Sequence, residues 1–221
     1  MTVTAPPAPS SRTSLRTVPV ALALAAASLP MFMSTLDNLV MTSALPVIQH
    51  ALSASVEQLQ WMMNSYTLAF ATLMLPAATL GDRWGRRRVF LTGIAVFTLA
   101  SIGSALSTTT GALITARAVQ GVGAAAIMPL SLTLLAGAVP AHRRAMAIGV
   151  WGGVSWLGGA LGPVIGGAVV AGFSWHGIFW LIVPVACVAS PLCLAALPGS
   201  RGLPQPRGPP RLSPAGCRRP V

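Results

Sequence analysis

Apolar residues along this chain are grouped into six long runs, which are separated by short polar breaks. The runs cover about residues 18–45, 58–80, 89–107, 110–136, 145–170 and 178–197. Each run approaches the roughly 20 residues that an α-helix needs to cross the hydrocarbon core of a bilayer. Each is also more apolar on all faces than a soluble helix tolerates, so we predict an all-α integral membrane protein with six transmembrane helices.

The two ends of the chain differ in character from the apolar runs. Residues 198–221 are rich in proline and arginine and show no periodicity. A segment of this composition buries too little apolar surface to fold, so we predict disorder there. The predicted organisation is therefore a disordered N-terminal segment at 1–17, a helical bundle at 18–197 and a disordered tail at 198–221. The first run continues past any cleavage-like site, which favours an uncleaved helix over a signal peptide.

Outside the apolar runs, arginines occur only in alternate breaks and in the two ends of the chain. Apart from the tail, these are Arg12 and Arg16, then Arg83 and Arg86–Arg88 after helix 2, then Arg143 and Arg144 after helix 4. The breaks after helices 1, 3 and 5 contain no lysine or arginine. Because positive charge accumulates in cytoplasmic loops, this alternation places both termini in the cytoplasm. Ser55 and Gln58 also fit a capping box at the start of helix 2.

Composition narrows the range of functions. The chain has 221 residues, of which 54% are apolar and 8% charged, and its net charge is +11. Its arginines do not form a stripe interleaved with aromatic residues, which argues against nucleic-acid binding. The sequence shows no Ser-His-Asp set, no metal-ligand cluster and no phosphate-binding loop, so we expect no enzymatic activity, no metal and no cofactor.

An acidic residue lies inside the first apolar run. Asp37, in "LDNLVMTSALP", is roughly 12 Å before the predicted helix end near Pro46, at 1.5 Å per residue. A carboxylate at that depth is costly unless it is paired, hydrated or protonated. Since desolvation favours the protonated form of a carboxyl group, Asp37 is a candidate proton-binding residue. The alternative is that helix 1 ends early and Asp37 lies among the outer headgroups.

Helix 4 contains an arginine at a similar depth. Arg117, in "LITARAVQGVGAAA", lies roughly 10 Å inside the outer end of that helix. Facing helices of a membrane bundle pair such charges, so Arg117 is a candidate partner of Asp37. Gln120 lies three residues further on, on the same helical face. The alternative interpretation is an ion pair with a purely structural role.

The break between helices 2 and 3, "GDRWGRRR", concentrates charge and glycine. Glycines at 81 and 85 allow a tight turn with positive φ, and Asp82 can form an ionic latch with the neighbouring arginines. A simple topology anchor is a compatible interpretation. In helix 5, glycines at 158, 162 and 166 fall four residues apart, which predicts close contact with another helix. Pro163 removes one backbone hydrogen bond and should kink that helix.

Four of these motifs together resemble the major facilitator superfamily, and within it the drug:proton antiporters of the EmrB/QacA type. "GDRWGRRR" is similar to the family's turn between helices 2 and 3, and "RAVQGVGAAA" to its helix 4 motif. "GALGPVIGG" is similar to the helix 5 motif that marks antiporters, and "LDNLVMTSALP" to the helix 1 motif of the drug-efflux branch. The resemblance covers about residues 18–197 and implies the N-terminal six-helix bundle of that fold.

The resemblance also implies roles for individual residues. Proton coupling would involve Asp37 and Arg117. The cytoplasmic latch would comprise Gly81, Asp82, Arg83, Gly85, Arg86 and Arg87. The antiporter helix would contribute Gly158, Gly162, Pro163, Gly166 and Gly167, which would let it pack and bend against the opposite half. Helices 1, 2, 4 and 5 would line a drug cavity, with Asn38, Trp61, Asn64, Tyr66 and Gln120 as candidate cavity residues.

The function implied is multidrug efflux across the plasma membrane, with amphipathic drugs exchanged for protons and no energy source other than the proton gradient. The family has twelve or fourteen helices, whereas this chain has six apolar runs. The expectation is therefore a truncated N-terminal half that lacks its C-terminal half, with a frameshift as a hypothesis for the Pro- and Arg-rich tail. Two alternatives stay open, namely a half-size transporter that works as a homodimer and a non-transporting membrane subunit or remnant.

Overall fold

The computed structural model describes residues 19–172 and 174–197, which form six long α-helices. They are α1 (Val20–Leu52), α2 (Val56–Trp84), α3 (Arg86–Ala105), α4 (Thr110–Ala138), α5 (Arg144–Gly172) and α6 (His176–Ala196). A single 3₁₀ turn, Ala141–Arg143, precedes α5. The predicted all-α bundle of six helices is thus confirmed. The predictions of disorder for residues 1–17 and 198–221 lie outside the described residues.

Helix α1 is longer than the sequence pattern predicted. It has 33 residues and continues through Pro46, so the predicted end near that proline is wrong. A proline removes one backbone donor, but the helix continues beyond it to Leu52, and Ser53 is its C-cap. Ser53 adopts the left-handed conformation, with φ 48°, and donates its N–H to the carbonyl of Gln49. Asp37 therefore lies near the middle of a continuous helix, and the alternative in which helix 1 ends early is excluded.

Five of the six helices are long and apolar enough to cross a bilayer, namely α1, α3, α4, α5 and α6. Helix α2 is long enough, with 29 residues, but its first turns carry Glu57, Gln60 and Asn64, which lower its mean hydropathy. Its N-terminus follows the prediction, because Ser55 Oγ accepts the N–H of Gln58 while Gln58 Oε1 accepts the N–H of Ser55. This multi-pass architecture places most of the chain within a membrane.

The connection between α2 and α3 is shorter than the predicted eight-residue turn. Only Gly85 separates the two helices, and its φ of 102° is accessible to glycine at little cost. Gly81 has a different role, because it lies within α2 without a positive φ. A methyl group at Gly81 would lie 2.5 Å from Leu130 Cδ2. Gly81 thus leaves room for the side chain of Leu130 on α4, and Gly85 allows the reversal of the chain.

The helices pack in a pattern that repeats between the two halves of the bundle. Helix α4 packs mainly against α2 and α3, while α1 packs mainly against α5 and α6. Contacts between α1 and α4 and between α3 and α6 join these groups. If α1 is exchanged with α4, α2 with α5 and α3 with α6, each of these contacting pairs becomes another of the same pairs. Helices α1 and α4 are therefore equivalent central elements, and any side chains joining them lie at the centre of the bundle.

Glycines set the distance between α4 and its two neighbours. A methyl group at Gly123 would lie 2.7 Å from the backbone nitrogen of Phe97 on α3. A methyl group at Gly121 would collide with the carbonyl oxygen of Tyr66 on α2. Small residues let membrane helices approach until their backbones touch, which strengthens van der Waals packing. The "GVG" of helix 4 therefore brings Tyr66 and α3 close to the interior of the bundle.

The glycine stripe of α5 faces α1. A methyl group added at Gly158 would lie 2.8 Å from the carbonyl oxygen of Phe32. One added at Gly162 would lie 2.7 Å from Leu39 Cβ, and one added at Gly166 would lie 3.0 Å from Val40 Cγ1. These three glycines are covered by α1 of the same chain, in agreement with the predicted close contact with another helix. Two residues of the motif behave differently: Pro163 is exposed within the continuous helix, and nothing lies within 4 Å of a methyl group at Gly167.

Replacement of Gly162 by alanine should destabilise the bundle, because Leu39 Cβ is fixed to the backbone and cannot move without displacing α1. We expect a loss of about 1–3 kcal/mol, typical of overpacking. Gly167→Ala is the matched control in the same helix, where the higher helix propensity of alanine should leave stability unchanged or raise it by up to ~1 kcal/mol. Thermal unfolding of the two variants in detergent measures the difference. Equal melting temperatures would contradict the α1–α5 contact.

Candidate functional site

Asp37 and Arg117 form an ion pair in the centre of the bundle. Arg117 Nη1 donates to Asp37 Oδ2 at 2.5 Å, and both side chains have 0% exposure. Gln120 completes the arrangement: its Oε1 accepts from Arg117 Nη1 at 2.8 Å, and its Nε2 donates to Asp37 Oδ1 at 3.1 Å. Both carboxylate oxygens are therefore hydrogen-bonded. A buried charge is tolerated only when it is paired and hydrogen-bonded in this way.

The sequence spacing explains how the three side chains meet. Arg117 and Gln120 are three residues apart on α4 and therefore share a face, which is directed at α1. Gln120 Nε2 also donates to Ser101 Oγ on α3 at 2.7 Å, which fixes the orientation of the carboxamide. The predicted contact between Asp37 and Arg117 is thus present, and it joins the two central helices.

The opposite side of Asp37 is apolar. A narrow gap on that side is lined by Asp37 and by apolar residues of α1, α5 and α6, namely Leu36, Val40, Ile165, Val169, Ile178, Leu181 and Ile182. Among the described residues, the polar partners of Asp37 accordingly come from α4 alone. The carboxylate therefore depends on Arg117 and Gln120, because nothing on its other side can solvate the charge.

Arg117 also contacts an aromatic ring. Its guanidinium carbon lies 4.5 Å from the centroid of Tyr66, a distance at which a cation is attracted by the π face. The Tyr66 hydroxyl shares a 2.9 Å hydrogen bond with Ser34 Oγ. Within the part of the chain that the structure describes, Nε and Nη2 of Arg117 have no hydrogen-bond partner. The arginine is thus held along one edge only, and its charge is incompletely satisfied.

A groove of about 390 Å³ is lined in part by Tyr66. Its lining comes from α1, α2, α4 and α5, namely Met31, Ser34, Thr35, Asn38, Leu39, Tyr66, Thr67, Phe70, Met128 and Trp156. These are the four helices that the sequence resemblance assigned to a drug cavity. Tyr66 belongs both to the groove lining and to the surroundings of Arg117, so it connects the two.

The predicted cavity residues are only partly brought together. Asn38 and Tyr66 line the groove, while Gln120 lies behind it in the buried network. Trp61 and Asn64 are exposed on α2 and lie outside the lining of the groove. Their position in the first turns of α2 places them nearer its N-terminus than Tyr66.

Sequence reasoning missed several residues of the site. Ser34 and Ser101 hold Tyr66 and Gln120, and a serine in an apolar helix gives no sequence signal of such a role. Phe70 and Trp156 line the groove. The spacing of Tyr66 and Phe70, four residues apart on one helical face, was a usable signal. Trp156 could be recognised only once the packing of α5 against α1 was known.

The predicted latch residues form local contacts. Arg86 Nε donates to Asp82 Oδ1 at 2.8 Å across the Gly85 turn. The two side chains are 29% and 60% exposed, so this pair adds little stability. Arg87 Nη2 donates to the carbonyl of Leu194 in the last turn of α6, where backbone carbonyls lack helical partners. Arg87 therefore ties the α2–α3 turn to α6. Arg83 is exposed in the last turn of α2.

A double-mutant cycle measures the energy of the buried ion pair. Asp37→Asn and Arg117→Met should each lower the free energy of unfolding by about 3–5 kcal/mol, because each leaves a buried charge or polar group without its partner. The double variant removes both charges and should lose clearly less than the sum of the two single losses. Unfolding of the four proteins in mixed micelles provides the values. Additive losses would show that the two charges do not interact.

Comparison with known proteins gives a family and a fold. The sequence model of the family described as Major Facilitator Superfamily matches residues 23–219. The chain is 41% identical to the multidrug resistance protein Stp of Mycobacterium tuberculosis, over 76% of this chain and 31% of that protein. It is 38% identical to the tetracenomycin C resistance and export protein of Streptomyces glaucescens, over 80% of this chain and 33% of that protein.

Solved structures agree with the helical arrangement. The xylose transporter XylE from E. coli, in an inward-open conformation, superposes with a TM-score of 0.71. The alignment covers 82% of this chain and 48% of that one, at 16% sequence identity, and so concerns the fold alone. The present chain spans about a third of the length of the curated relatives it matches.

Proposed function

Since the chain belongs to the major facilitator superfamily, whose members are transporters and not enzymes, we propose that it forms part of a proton-coupled efflux antiporter for amphipathic small-molecule drugs. Two relatives with about 40% identity carry the words "multidrug resistance" and "resistance and export" in their names, which supports an export role. The proposal places the transporter in the plasma membrane, with both ends of this segment on the cytoplasmic side.

The observation that carries the proposal is the position of the ion pair relative to the groove. Asp37 and Arg117 are fully buried, and Tyr66, whose ring centroid lies 4.5 Å from the guanidinium carbon of Arg117, also lines the groove. One aromatic side chain thus adjoins both the ion pair and the proposed substrate site. In this proposal Asp37 carries the proton, the groove takes the drug, and Arg117 with Tyr66 couples the two.

Protonation of Asp37 would change the electrostatics of the centre. With Asp37 ionised, the pair has no net charge and its atoms are mutually satisfied. Adding a proton neutralises the carboxylate and leaves the guanidinium of Arg117 without a counter-charge in apolar surroundings. That state is costly unless Arg117 reaches water or another partner. Protonation therefore favours a different conformation of the bundle, in which Arg117 leaves its position over Tyr66.

A bound drug would act on the same equilibrium in the opposite direction. An apolar molecule against Tyr66 displaces water from the groove and makes an unpaired Arg117 more costly. It thereby favours the state in which Asp37 is ionised and holds the arginine. Because drug and proton stabilise different states, binding of one weakens binding of the other, and the reciprocity of this linkage is what antiport requires.

The remaining predicted residues receive supporting roles in this proposal. The exposed Asp82–Arg86 pair has little structural value, which leaves it free to exchange partners when the transporter changes state. Arg87, bound to the end of α6, would transmit such an exchange to the bundle. On α5, Gly167 and Pro163 stay exposed after α1 has covered the other glycines, and they would face the remainder of the transporter.

Proton release on drug binding tests the proposal. Nile red, an uncharged planar dye, is added to the purified chain in detergent and weakly buffered solution, and a pH indicator follows the protons. We expect binding to release up to one proton per dye in the wild type, because the occupied groove favours ionised Asp37.

Two variants make the result specific. Asp37→Asn should still bind the dye but release no proton. Glu57→Gln, which removes an exposed carboxylate in the first turn of α2, should behave as the wild type. Dye binding without proton release in the wild type, or proton release that persists in Asp37→Asn, contradicts the coupling role of Asp37.

A further inference from the structure

The groove next to Tyr66 contains no charged side chain. Its lining consists of apolar, aromatic, hydroxyl and carboxamide groups. A cation that enters an apolar groove loses hydration and needs a carboxylate or several carbonyl groups to compensate. The ligand charge that this part of the site favours therefore depends on whether an acidic side chain of this chain is available to the groove.

The whole sequence has three acidic residues, and none of them is available to the groove. Asp37 is fully buried, and both of its carboxylate oxygens accept hydrogen bonds, from Arg117 and Gln120. Asp82 is 60% exposed and paired with Arg86 next to the α2–α3 turn. Glu57 is exposed in the first turn of α2. The charged group that lies against the Tyr66 ring is instead the guanidinium of Arg117.

Three aromatic side chains line the groove, namely Tyr66, Phe70 and Trp156. Tyr66 is 5% exposed, and its ring is parallel to that of Phe70 to within 3°, with centroids 6.4 Å apart. Phe70 is half-buried, and Trp156 on α5 is 80% exposed. Phe70 and Trp156 therefore offer most of the aromatic surface that a planar ligand can contact.

We propose that this groove binds uncharged, planar aromatic molecules in preference to cations of the same shape. The inference rests on the proposed function, for which it names the class of substrate. Contact with the rings of Phe70 and Trp156 provides the attraction, and the absence of a free carboxylate from this chain removes the advantage that a cation has in other binding sites. The Arg117 guanidinium already lies over the ring of Tyr66, which opposes cation–π binding through that ring.

Asn38 supplies the polar recognition in this proposal. It lines the groove one residue after Asp37, and its carboxamide can both donate and accept a hydrogen bond. A phenol, quinone or heterocyclic nitrogen at the edge of an aromatic ligand is a suitable partner. An uncharged ligand with one such polar edge meets all the groups that the groove offers.

A matched pair of ligands tests the preference. Acridine, at a pH where it is uncharged, and N-methylacridinium share the same three fused rings and differ by one methyl group and one positive charge. Both are fluorescent, so polarisation gives their affinities for the purified full-length chain in neutral detergent. We expect acridine to bind at least tenfold more tightly. Trp156→Ala should weaken acridine at least fivefold, whereas Trp180→Ala, which removes a half-exposed indole on α6, should not change its affinity.

The outcomes separate this inference from the proposed function. Tighter binding of N-methylacridinium, or equal binding of the two ligands, overturns the preference while leaving proton release by Nile red as an independent result. An equal effect of the two tryptophan variants shows that the ligand does not stack on Trp156 and overturns the assigned site. Failure of both ligands to bind also overturns it. Conversely, the predicted preference can hold even where no proton is released, which would contradict the antiport proposal alone.

Discussion

The requirement that two opposite charges be buried together dominates this bundle. Asp37 and Arg117 lie on the central helices α1 and α4, and neither charge is tolerable in the interior without the other. Gln120 donates a hydrogen bond to the second carboxylate oxygen of Asp37 and another to Ser101. Residues of α1, α3 and α4 are therefore joined by one hydrogen-bond network. Because the apolar side chains of α5 and α6 cover the rest of Asp37, a proton on the carboxylate would leave the guanidinium of Arg117 without its counter-charge.

Small residues make this arrangement possible. Gly121 brings α4 against the backbone of α2, which positions Tyr66 under the guanidinium of Arg117. The α5 stripe brings that helix against α1, and it carries Trp156 to the groove. The same glycines that appear as a packing motif in the sequence therefore also shape the site. A bundle with larger residues at these positions would separate the groove from the ion pair and remove the coupling between them.

The sequence predicted the helices and the buried pair but only part of the groove. Apolar runs and charges at matching depth are set by the bilayer, so the six helices and the contact between Asp37 and Arg117 followed from local pattern. Helix ends were less accurate, because α1 continues through Pro46 and Gly85 alone forms the α2–α3 turn. The position of Trp156 at the groove and the identity of the helix that the α5 glycines contact depend on how helices distant in sequence pack. The local sequence pattern does not contain this information. Trp61 and Asn64 were chosen by polarity, but they lie too near the start of α2 to reach the groove.

The proposed coupling requires Asp37 to take up a proton while the chain stays folded, and infrared difference spectroscopy measures this directly. A protonated carboxyl group has a C=O stretching band that an ionised one lacks. The two other acidic residues, Glu57 and Asp82, are exposed and contribute such bands to the wild type and to Asp37→Asn alike. We expect lowering the pH to produce a further band in the wild type that is missing from Asp37→Asn, although the helices of the variant remain folded. If Asp37 stays ionised until the bundle unfolds, the ion pair is structural and the proposed coupling is wrong.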